Sequence, residues 1–371
     1  MDVLERALTG LGFHCRRMRF ESIENLYARR GTASPNLCFA GHTDVVPTGS
    51  TEAWSAGPFE AEVKDGVLYG RGAVDMKGGL AAWVAAVARV LAEGEVPGSL
   101  SFLITGDEEG PALHGTKRVV ETLMAEGEVI DACVVGEPSS SQVLGDMIKV
   151  GRRGSLNTWI TLHGKQGHVA YPDRAANPAP VLARLLARLD AHVLDDGYPS
   201  LDANATLAER GSLSIGFPPS NLEITTIDIG NPATNIIPAE AKARLNIRFN
   251  PTHTGDELIA WLNAVAGEAQ TASGLQISLE HLCSGNAFLT EPGPFVTAVQ
   301  DAVEAATSHR PEASTTGGTS DARFIRALCP VLELGLVGQT MHQIDERTPV
   351  AEIEALAEVY RRVIGTYFER T

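Results

Sequence analysis

The sequence has 371 residues, 44% of them hydrophobic, which is enough apolar material for one large domain or two of ordinary size. Its 30 Lys and Arg against 46 Asp and Glu give a net charge of −16, which disfavours a nucleic acid partner. No apolar run reaches the roughly 18 residues of a membrane-spanning helix, and the start, MDVLERALTGLGF, is typical of an amphipathic helix rather than a signal peptide. The five scattered cysteines indicate buried thiols rather than disulfides. We therefore expect a cytoplasmic protein that binds neither nucleic acid nor membrane.

Short apolar strands alternate with helices over the first 150 residues. The predicted strands are 37–41, 99–105 and 129–136, and the predicted helices are about 78–93 and 115–125. This alternation is typical of an α/β fold in which helices cover both faces of a mainly parallel sheet. Ligands of such sheets bind beyond the carboxyl ends of the strands.

From about residue 154 the pattern changes to that of an α+β insert. Longer strands such as SLNTWITLHG and AKARLNIRF appear, with helices such as PAPVLARLLARLDAHV and GDELIAWLNAVAGEAQ. The strand–helix alternation returns near 275–283 and ends in a helix over 351–368. We predict one domain formed by residues 1–154 and 271–371, and a second domain formed by residues 155–270.

Acidic and imidazole side chains stand among glycines at the ends of the predicted strands. They lie in GHTDVVP, GRGAVDMKGG, TGDEEG, VGEP and TMHQID. Burying such groups is costly unless they meet a metal or each other. Imidazole and carboxylate ligands together favour zinc, with cobalt or manganese feasible. Because a single catalytic zinc usually has three protein ligands, five candidates predict two ions bridged by one carboxylate: His42, Asp75, Glu109, Glu137 and His342.

Two further acids are assigned roles beside the predicted ligands. Side chains of adjacent residues diverge, so one of Glu108 and Glu109 can bind metal while the other acts as general base. Asp44, two residues after His42, is predicted to accept the second N–H of that histidine. Each residue alone has a simpler structural explanation, such as a helix cap or a surface group, and the five positions together favour the metal site.

These motifs resemble those of the co-catalytic zinc aminoacylase and carboxypeptidase (M20-type) metallohydrolases, and the resemblance covers nearly the whole chain. Several motifs are similar to the branch that acts on N-succinyl-L,L-2,6-diaminopimelate rather than on acetylornithine or peptides: GEPSSS, KVGRRGSL, KQGHVAYP, NIIPAEAK, TGGTSDARFI and MHQIDE. The resemblance implies hydrolysis of that substrate's amide bond to succinate and L,L-diaminopimelate, in lysine and peptidoglycan precursor biosynthesis. It implies two Zn²⁺ per subunit, replaceable by Co²⁺ or Mn²⁺.

The resemblance also assigns individual residues of the metal centre. It implies one zinc on His42 and Glu137, a second zinc on Glu109 and His342, and Asp75 as the bridge. Glu108 becomes the general base, and a cis peptide bond is implied after Asp75.

Outside the metal centre, the resemblance implies a dimerisation lid and a set of substrate contacts. The insert would form a homodimer in which His168 reaches the active site of the other subunit and donates to the developing oxyanion. The substrate carries three carboxylates, which guanidinium groups bind bidentately, so Arg152 or Arg153 suits it and the resemblance favours Arg152. Further implied polar contacts are Ser155, Tyr171, Asn235, Thr319 and Ser320.

The sequence departs from the family pattern at two positions and leaves alternatives open. Asp173 stands where relatives often have a second His, and Gly338 stands where some have a substrate-contacting Asn. The chain begins inside what resembles the first helix, so a shortened start is expected.

Two alternative functions remain open: a sibling deacylase acting on acetylornithine, and a non-catalytic metal-binding homologue. A nucleotide-binding α/β protein is disfavoured, because GRGAVDMKGG matches neither GxGxxG nor GxxxxGK[ST].

Overall fold

The structure is a computed structural model that describes residues 1–198 and 216–370. No helix within these residues is both long and apolar enough to cross a membrane. The helices are α1 (Asp2–Gly10), α2 (Gly78–Glu93), α3 (Thr116–Glu126), α4 (Ala179–Asp190), α5 (Gly255–Ser273), α6 (Pro294–Thr307), α7 (Ala322–Ile325) and α8 (Val350–Arg370). The strands are β1 (His14–Phe20), β2 (Ile23–Arg30), β3 (Asn36–His42), β4 (Glu62–Lys64), β5 (Val67–Tyr69), β6 (Ser99–Thr105), β7 (Ala132–Val135), β8 (Met147–Lys149), β9 (Gly151–Arg152), β10 (Gly154–His163), β11 (Gly167–His168), β12 (Asn221–Asp228), β13 (Ile236–Ile237), β14 (Glu240–Phe249), β15 (Gln276–Gly285), β16 (Phe288–Leu289), β17 (Glu312–Ser314), β18 (Val331–Glu333) and β19 (Arg347–Pro349).

The chain forms two compact units. The first unit comprises Met1–Gly151, Thr290–Ser314 and Ser320–Thr371, and the second comprises Arg152–Leu289 and Thr315–Thr319. The chain therefore returns to the first unit later than the predicted residue 271. The predicted boundary differs because β15, which follows it, pairs with β10 of the second unit. Alternating hydrophobicity identifies a strand, but it does not say which sheet the strand joins.

The first unit is built on a mixed, mostly parallel sheet with the strand order β1-β2-β6-β3-β7-β18-β8-β17. Its centre, β6-β3-β7-β18, is parallel throughout, whereas β1 and β2 pair antiparallel at one edge. Every residue of β3, β6 and β7 is buried, as expected of strands covered on both faces. These features confirm the predicted α/β class.

Helices α2 and α8 pack together over this sheet through aromatic side chains. Trp83 of α2 stacks on Phe39 of β3 with ring centroids 4.7 Å apart, and Tyr360 of α8 meets Trp83 edge-on at 4.8 Å. The limits of α2 and β6 agree with the predicted helix 78–93 and strand 99–105. Strong apolar content within each segment and glycine just beyond the helix explain this agreement.

The second unit is an antiparallel sheet with the order β12-β14-β10-β15, covered on one face by α4 and α5. Its core lies between them and includes Leu156, Leu186, Leu245 and Leu262. Helix α5 begins with a capping box, in which the Thr254 side chain accepts the N–H of Glu257 and the Glu257 carboxylate accepts that of Thr254.

Candidate metal centre and active site

Three segments with predicted metal ligands follow adjacent strands of the first unit, in the order β6-β3-β7. His42 ends β3, Glu108 and Glu109 come just after β6, and Glu137 comes just after β7. Because these strands are parallel, their carboxyl ends meet at one edge of the sheet. The fold therefore brings these side chains together.

Asp75 lies between two histidines. Its Oδ1 is 3.0 Å from Nε2 of His42, and its Oδ2 is 3.2 Å from Nε2 of His342. Oε1 of Glu137 lies 3.7 Å from the same nitrogen of His42, and Oε1 of Glu109 lies 2.9 Å from that of His342. The donors thus form two groups, His42 with Glu137 and His342 with Glu109, and each group faces one oxygen of Asp75.

The residue after Asp75, Met76, packs closely against glycines near the ends of β3 and β7. The Asp75–Met76 peptide bond is cis, as the resemblance implied, and the Met76 side chain is fully buried. A Cβ on Gly41 would lie 2.5 Å from Cε of Met76, and a Cβ on Gly136 would lie 2.7 Å from the same atom. The glycines at the ends of β3 and β7 therefore leave the space that Met76 fills.

Two buried atoms of this centre fit a metal ion. Nδ1 of His42 lies 3.0 Å from the backbone oxygen of Asp44, which can only accept, so Nδ1 carries the proton and Nε2 is available to bind metal. Oε1 of Glu137 is buried and has no hydrogen-bond partner within the described residues. The ligand atoms of His42, Asp75 and Glu109 lie within 4.8 Å of one another, as do those of His42, Glu108 and Glu137.

The electrostatics of the centre also favour a cation. Burial raises the pKa of Glu137 well above its ordinary value, and the charges of Asp75 and Glu108 add to the rise. Burial, followed by the charge of Asp321, raises the pKa of Glu108 to about 8. Burial alone would lower the pKa of His42, but its hydrogen bond to Asp75 and the charge of Glu137 raise it well above its ordinary value. The cluster holds more negative charge than its surroundings stabilise, and divalent cations would neutralise it.

Asp44 has a different contact from the predicted one. His42 is closer to the backbone oxygen of Asp44 than to its carboxylate, whose Oδ1 lies 3.6 Å from Nδ1. Oδ2 of Asp44 instead accepts the backbone N–H groups of Glu108 and Glu109, both at 3.0 Å. The prediction assumed an extended chain, but β3 ends at His42, so the side chains no longer alternate there. The carboxylate of Asp44 therefore fixes the turn that carries both glutamates.

His168 lies in a two-stranded antiparallel sheet of the second unit, in which β11 pairs with β13, and Asn235 directly precedes β13. Both residues are exposed, and the backbone oxygen of Asn235 accepts the N–H of Val169 at 3.1 Å. Nδ1 of His168 accepts the N–H of Ala170 at 3.1 Å, so the neutral ring carries its proton on Nε2. The imidazole is thereby prepared to donate. Tyr171, also exposed, has its ring 5.9 Å from that of His168.

The other predicted substrate contacts differ in exposure. Ser320 is buried and donates its hydroxyl to Glu333, so the oxygen of Ser320 retains only its acceptor capacity for a substrate. Arg152 is buried and donates to the backbone oxygen of Thr316 at 3.1 Å. Ser155 is buried beside Asn246, which donates to its hydroxyl at 3.2 Å, and Thr319 is half-buried.

Sequence reasoning missed a third arginine near Ser155, in addition to Arg152 and Arg153. Arg248 of β14 pairs directly opposite Ser155 of β10, and it has no acidic partner within the described residues. Burial, together with the charge of Arg153, lowers the pKa of Arg248. Alternation in AKARLNIRF places Arg248 on the same sheet face as Asn246, and this was the available signal.

A buried ion pair beside the metal centre was also missed. Arg71 and Glu346 are 275 positions apart in the chain, and Nη1 of Arg71 lies 2.6 Å from Oε2 of Glu346. Both belong to motifs that the sequence identified, GRGAVDMKGG and MHQIDE, but no local pattern pairs them.

The chain is similar to known proteins over nearly its whole length. It is 63% identical to a succinyl-diaminopimelate desuccinylase of Caulobacter vibrioides, over 99% of this chain and 90% of that protein. It is 62% identical to the succinyl-diaminopimelate desuccinylase of Phenylobacterium zucineum, over 99% of this chain and 93% of that protein. The fold matches that of an M20 family metallo-carboxypeptidase from Sulfolobus solfataricus with a TM-score of 0.79 and 17% identity, over 99% and 93% of the two chains. Residues 38–366 match peptidase family M20/M25/M40, and the chain therefore belongs to that family.

Proposed function

We propose that this chain hydrolyses the amide bond of N-succinyl-L,L-2,6-diaminopimelate and releases succinate and L,L-diaminopimelate. The observation that carries this proposal is similarity over nearly the whole chain to relatives that are succinyl-diaminopimelate desuccinylases. The arrangement of donors on both sides of Asp75 supports it, because hydrolysis of an unactivated amide needs strong polarisation of the carbonyl and the water.

Two divalent ions, Zn²⁺ with Co²⁺ or Mn²⁺ as substitutes, would be held by the two groups of donors. His42 and Glu137 would hold one ion, His342 and Glu109 the other, and Asp75 would belong to both. When bound, the ions supply Lewis acidity toward the amide carbonyl and the attacking water. The chain contributes the rigid spacing of the donors through the ends of β3, β6 and β7.

Glu108 would move the proton. Its carboxylate accepts a proton from the attacking water and then donates it to the leaving amine. Neighbouring cations would favour the ionised carboxylate that accepts the proton. The hydrogen bonds from the backbone of Glu108 and Glu109 to Asp44 keep this turn in one conformation.

Recognition of the substrate would use the second unit. The three carboxylates suit the guanidinium groups of Arg152, Arg153 and Arg248. The buried Nε of Arg153 has no hydrogen-bond partner in the described part of the chain, which is consistent with a ligand there. The remaining polar contacts would come from Ser155, Tyr171 and Thr319. His168, with its proton on Nε2, and Asn235 would donate to the oxyanion.

The active form would be a homodimer in which His168 acts on the partner subunit. Trp159 and Leu282 support this, because these large apolar side chains are 37% and 52% exposed on the sheet face opposite the core of the second unit. We also place the enzyme in the cytoplasm, consistent with five cysteines that are all free thiols.

The test is hydrolysis of two amide substrates by the metal-loaded protein. Purified protein is supplied with Zn²⁺ and incubated with N-succinyl-L,L-diaminopimelate and, separately, with N-acetylornithine, while loss of the amide is followed by its ultraviolet absorbance. A matched sample is first treated with a chelator. Cleavage of the succinyl compound alone, abolished by the chelator, supports the proposal. Cleavage of the acetyl compound alone would assign a sibling specificity, and cleavage of neither would overturn the proposed reaction.

A further inference from the structure

The buried ion pair between Arg71 and Glu346 joins two distant segments of the first unit. Nη1 of Arg71 lies 2.6 Å from Oε2 of Glu346, and the two side chains are only 2% and 0% exposed. Trp54 covers the guanidinium, with the centroid of its ring 5.3 Å away. Neither residue is a donor of the metal centre.

The second oxygen of Glu346 holds the backbone that carries Asp75. Oε1 accepts the N–H groups of Gly72, Val74 and Asp75 at 3.1, 2.9 and 3.1 Å. A carboxylate is an acceptor only, and this one is used on both oxygens. Glu346 therefore fixes the turn from which the Asp75 side chain extends.

The guanidinium of Arg71 contacts the segments that carry both histidines, since Pro47 follows His42 in GHTDVVP. Nη2 donates to the backbone oxygen of Pro47 at 3.2 Å and makes a longer contact of 3.4 Å to that of His342. His342 itself has a positive φ of 64°, a backbone conformation that non-glycine residues adopt only when their surroundings hold it. Arg71 contributes to those surroundings.

The pair has the features of a positioning device rather than a source of stability. Removing two charges from water is costly, and a buried ion pair is often no more stable than apolar residues of the same volume. This pair, however, places the Asp75 turn and the His342 loop in one fixed relation, and these two residues face each other at 3.2 Å in the metal centre. Hydrogen bonds behind metal ligands commonly set metal affinity.

We propose that Arg71 and Glu346 are positioning residues that set the affinity of the ion held by His342, Glu109 and Asp75. The inference rests on the proposed metal centre. Loss of the pair weakens binding of this ion more than binding of the ion held by His42 and Glu137. Glu346 holds the Asp75 turn and Arg71 contacts the backbone of His342 itself, whereas on the His42 side Arg71 reaches only Pro47, five residues from the histidine.

The experiment is a titration of the metal-free, full-length protein with Co²⁺, followed by visible absorbance and by competition with a chelator. Arg71→Lys and Glu346→Gln are compared with the wild type, since both replacements retain size and polar atoms. His342→Ala serves as the reference for loss of the second ion. Arg30→Met, which breaks the Arg30–Glu95 pair at the surface, is the matched control for loss of an ion pair. The melting temperature of each metal-free protein is measured in parallel.

We expect the wild type and Arg30→Met to bind two ions alike. The two test variants should bind one ion about as well as the wild type and the other about 10–100-fold more weakly. At low Co²⁺ concentration, their visible spectrum should match that of His342→Ala. Variants that melt lower but keep both affinities would show a purely structural pair and overturn the inference. Equal weakening of both ions would also overturn it. A wild type that binds no Co²⁺ would refute the metal centre itself, and with it this inference.

Discussion

Asp44 holds the backbone of Glu108 by accepting its N–H at 3.0 Å, although the two residues are 64 positions apart in the chain. The same oxygen accepts the N–H of Glu109. One carboxylate therefore orients both the proposed base and a proposed metal ligand. The carboxylate of Asp44 lies closer to these two N–H groups than to the imidazole of His42, whose Nδ1 is 3.6 Å from Oδ1.

Replacing Asp44 tests this role. Asp44→Asn keeps an acceptor oxygen for the two N–H groups, whereas Asp44→Ala removes it. We expect kcat to fall about 10–100-fold in the alanine variant and clearly less in the asparagine variant, with two metal ions bound in both. Steady-state kinetics and metal analysis are the measurements. Equal losses of kcat in the two variants would mean that catalysis depends on the negative charge of Asp44 and not on its acceptance of the two N–H groups.

Replacing Glu108 separates proton transfer from metal binding. Glu108→Gln should reduce kcat by about 10²–10⁴, because the amide cannot accept a proton from water, while metal content and association state stay unchanged. Glu109→Gln is the matched control and should lose one ion, because its oxygen faces His342 at 2.9 Å. Near-normal turnover of Glu108→Gln would refute the base assignment.

The metal-free protein should lose stability as the pH rises. The hydrogen bond to Asp75 raises the pKa of His342 to about 9, against the opposing effect of burial, and burial raises that of Glu108 to about 8. In both cases the folded state binds protons that the unfolded state has released, so stability falls as pH rises from the ordinary values of these groups through the raised ones. The melting temperature of chelator-treated protein should therefore be higher near pH 6 than near pH 9.

Bound metal ions should remove this dependence of protein stability on pH. Ions replace the protons in the centre, so metal-loaded protein should gain more stability near pH 9 than near pH 6. Calorimetry of both forms at the two pH values provides the measurement. A metal-free melting temperature that rises over this interval would contradict the proposed charge state of the cluster.

The proposed dimer allows a complementation test of His168. His168→Ala and Glu108→Gln should each be nearly inactive alone. When the two variants are mixed in equal amounts and refolded together, half of the dimers contain one subunit of each variant. One of the two sites in such a dimer has an intact Glu108 and an intact His168 from the other subunit. The mixture should therefore recover about one quarter of wild-type activity. No recovery would contradict action across the dimer, and Trp159→Glu, which should weaken association, provides a sedimentation control.

Much of the first unit could be predicted because its signals are local. Helix α2 and strand β6 agree with their predicted limits, since an apolar segment between glycines and polar residues carries its own boundaries. The segments that carry the proposed metal ligands follow β3, β6 and β7, and their positions at these strand ends could be predicted for the same reason. The partner sheet of β15 could not, because pairing depends on residues more than a hundred positions away.

Contacts between loops that are distant in the chain also could not be predicted from the sequence. Nothing in MHQIDE indicates that Glu346 accepts the N–H of Asp75, and nothing in TGGTSDARFI indicates that Ser320 donates to Glu333. Such contacts depend on the final positions of segments that share no periodicity. They are also the contacts that fix the geometry of the site. Sequence patterns therefore identified the candidate site residues more fully than the residues that hold them in place.

The two donor groups around Asp75 are completed at different times during synthesis. His42, Asp75 and Glu137 are all present once the first 137 of the 371 residues have been made, whereas His342 follows roughly 200 residues after Glu137. At translation rates of about 5–20 residues per second, that interval is roughly 10–40 s. In the proposed centre, the donors of the first ion would therefore be available on the nascent chain, whereas the position that needs His342 would be filled only when the chain is nearly complete.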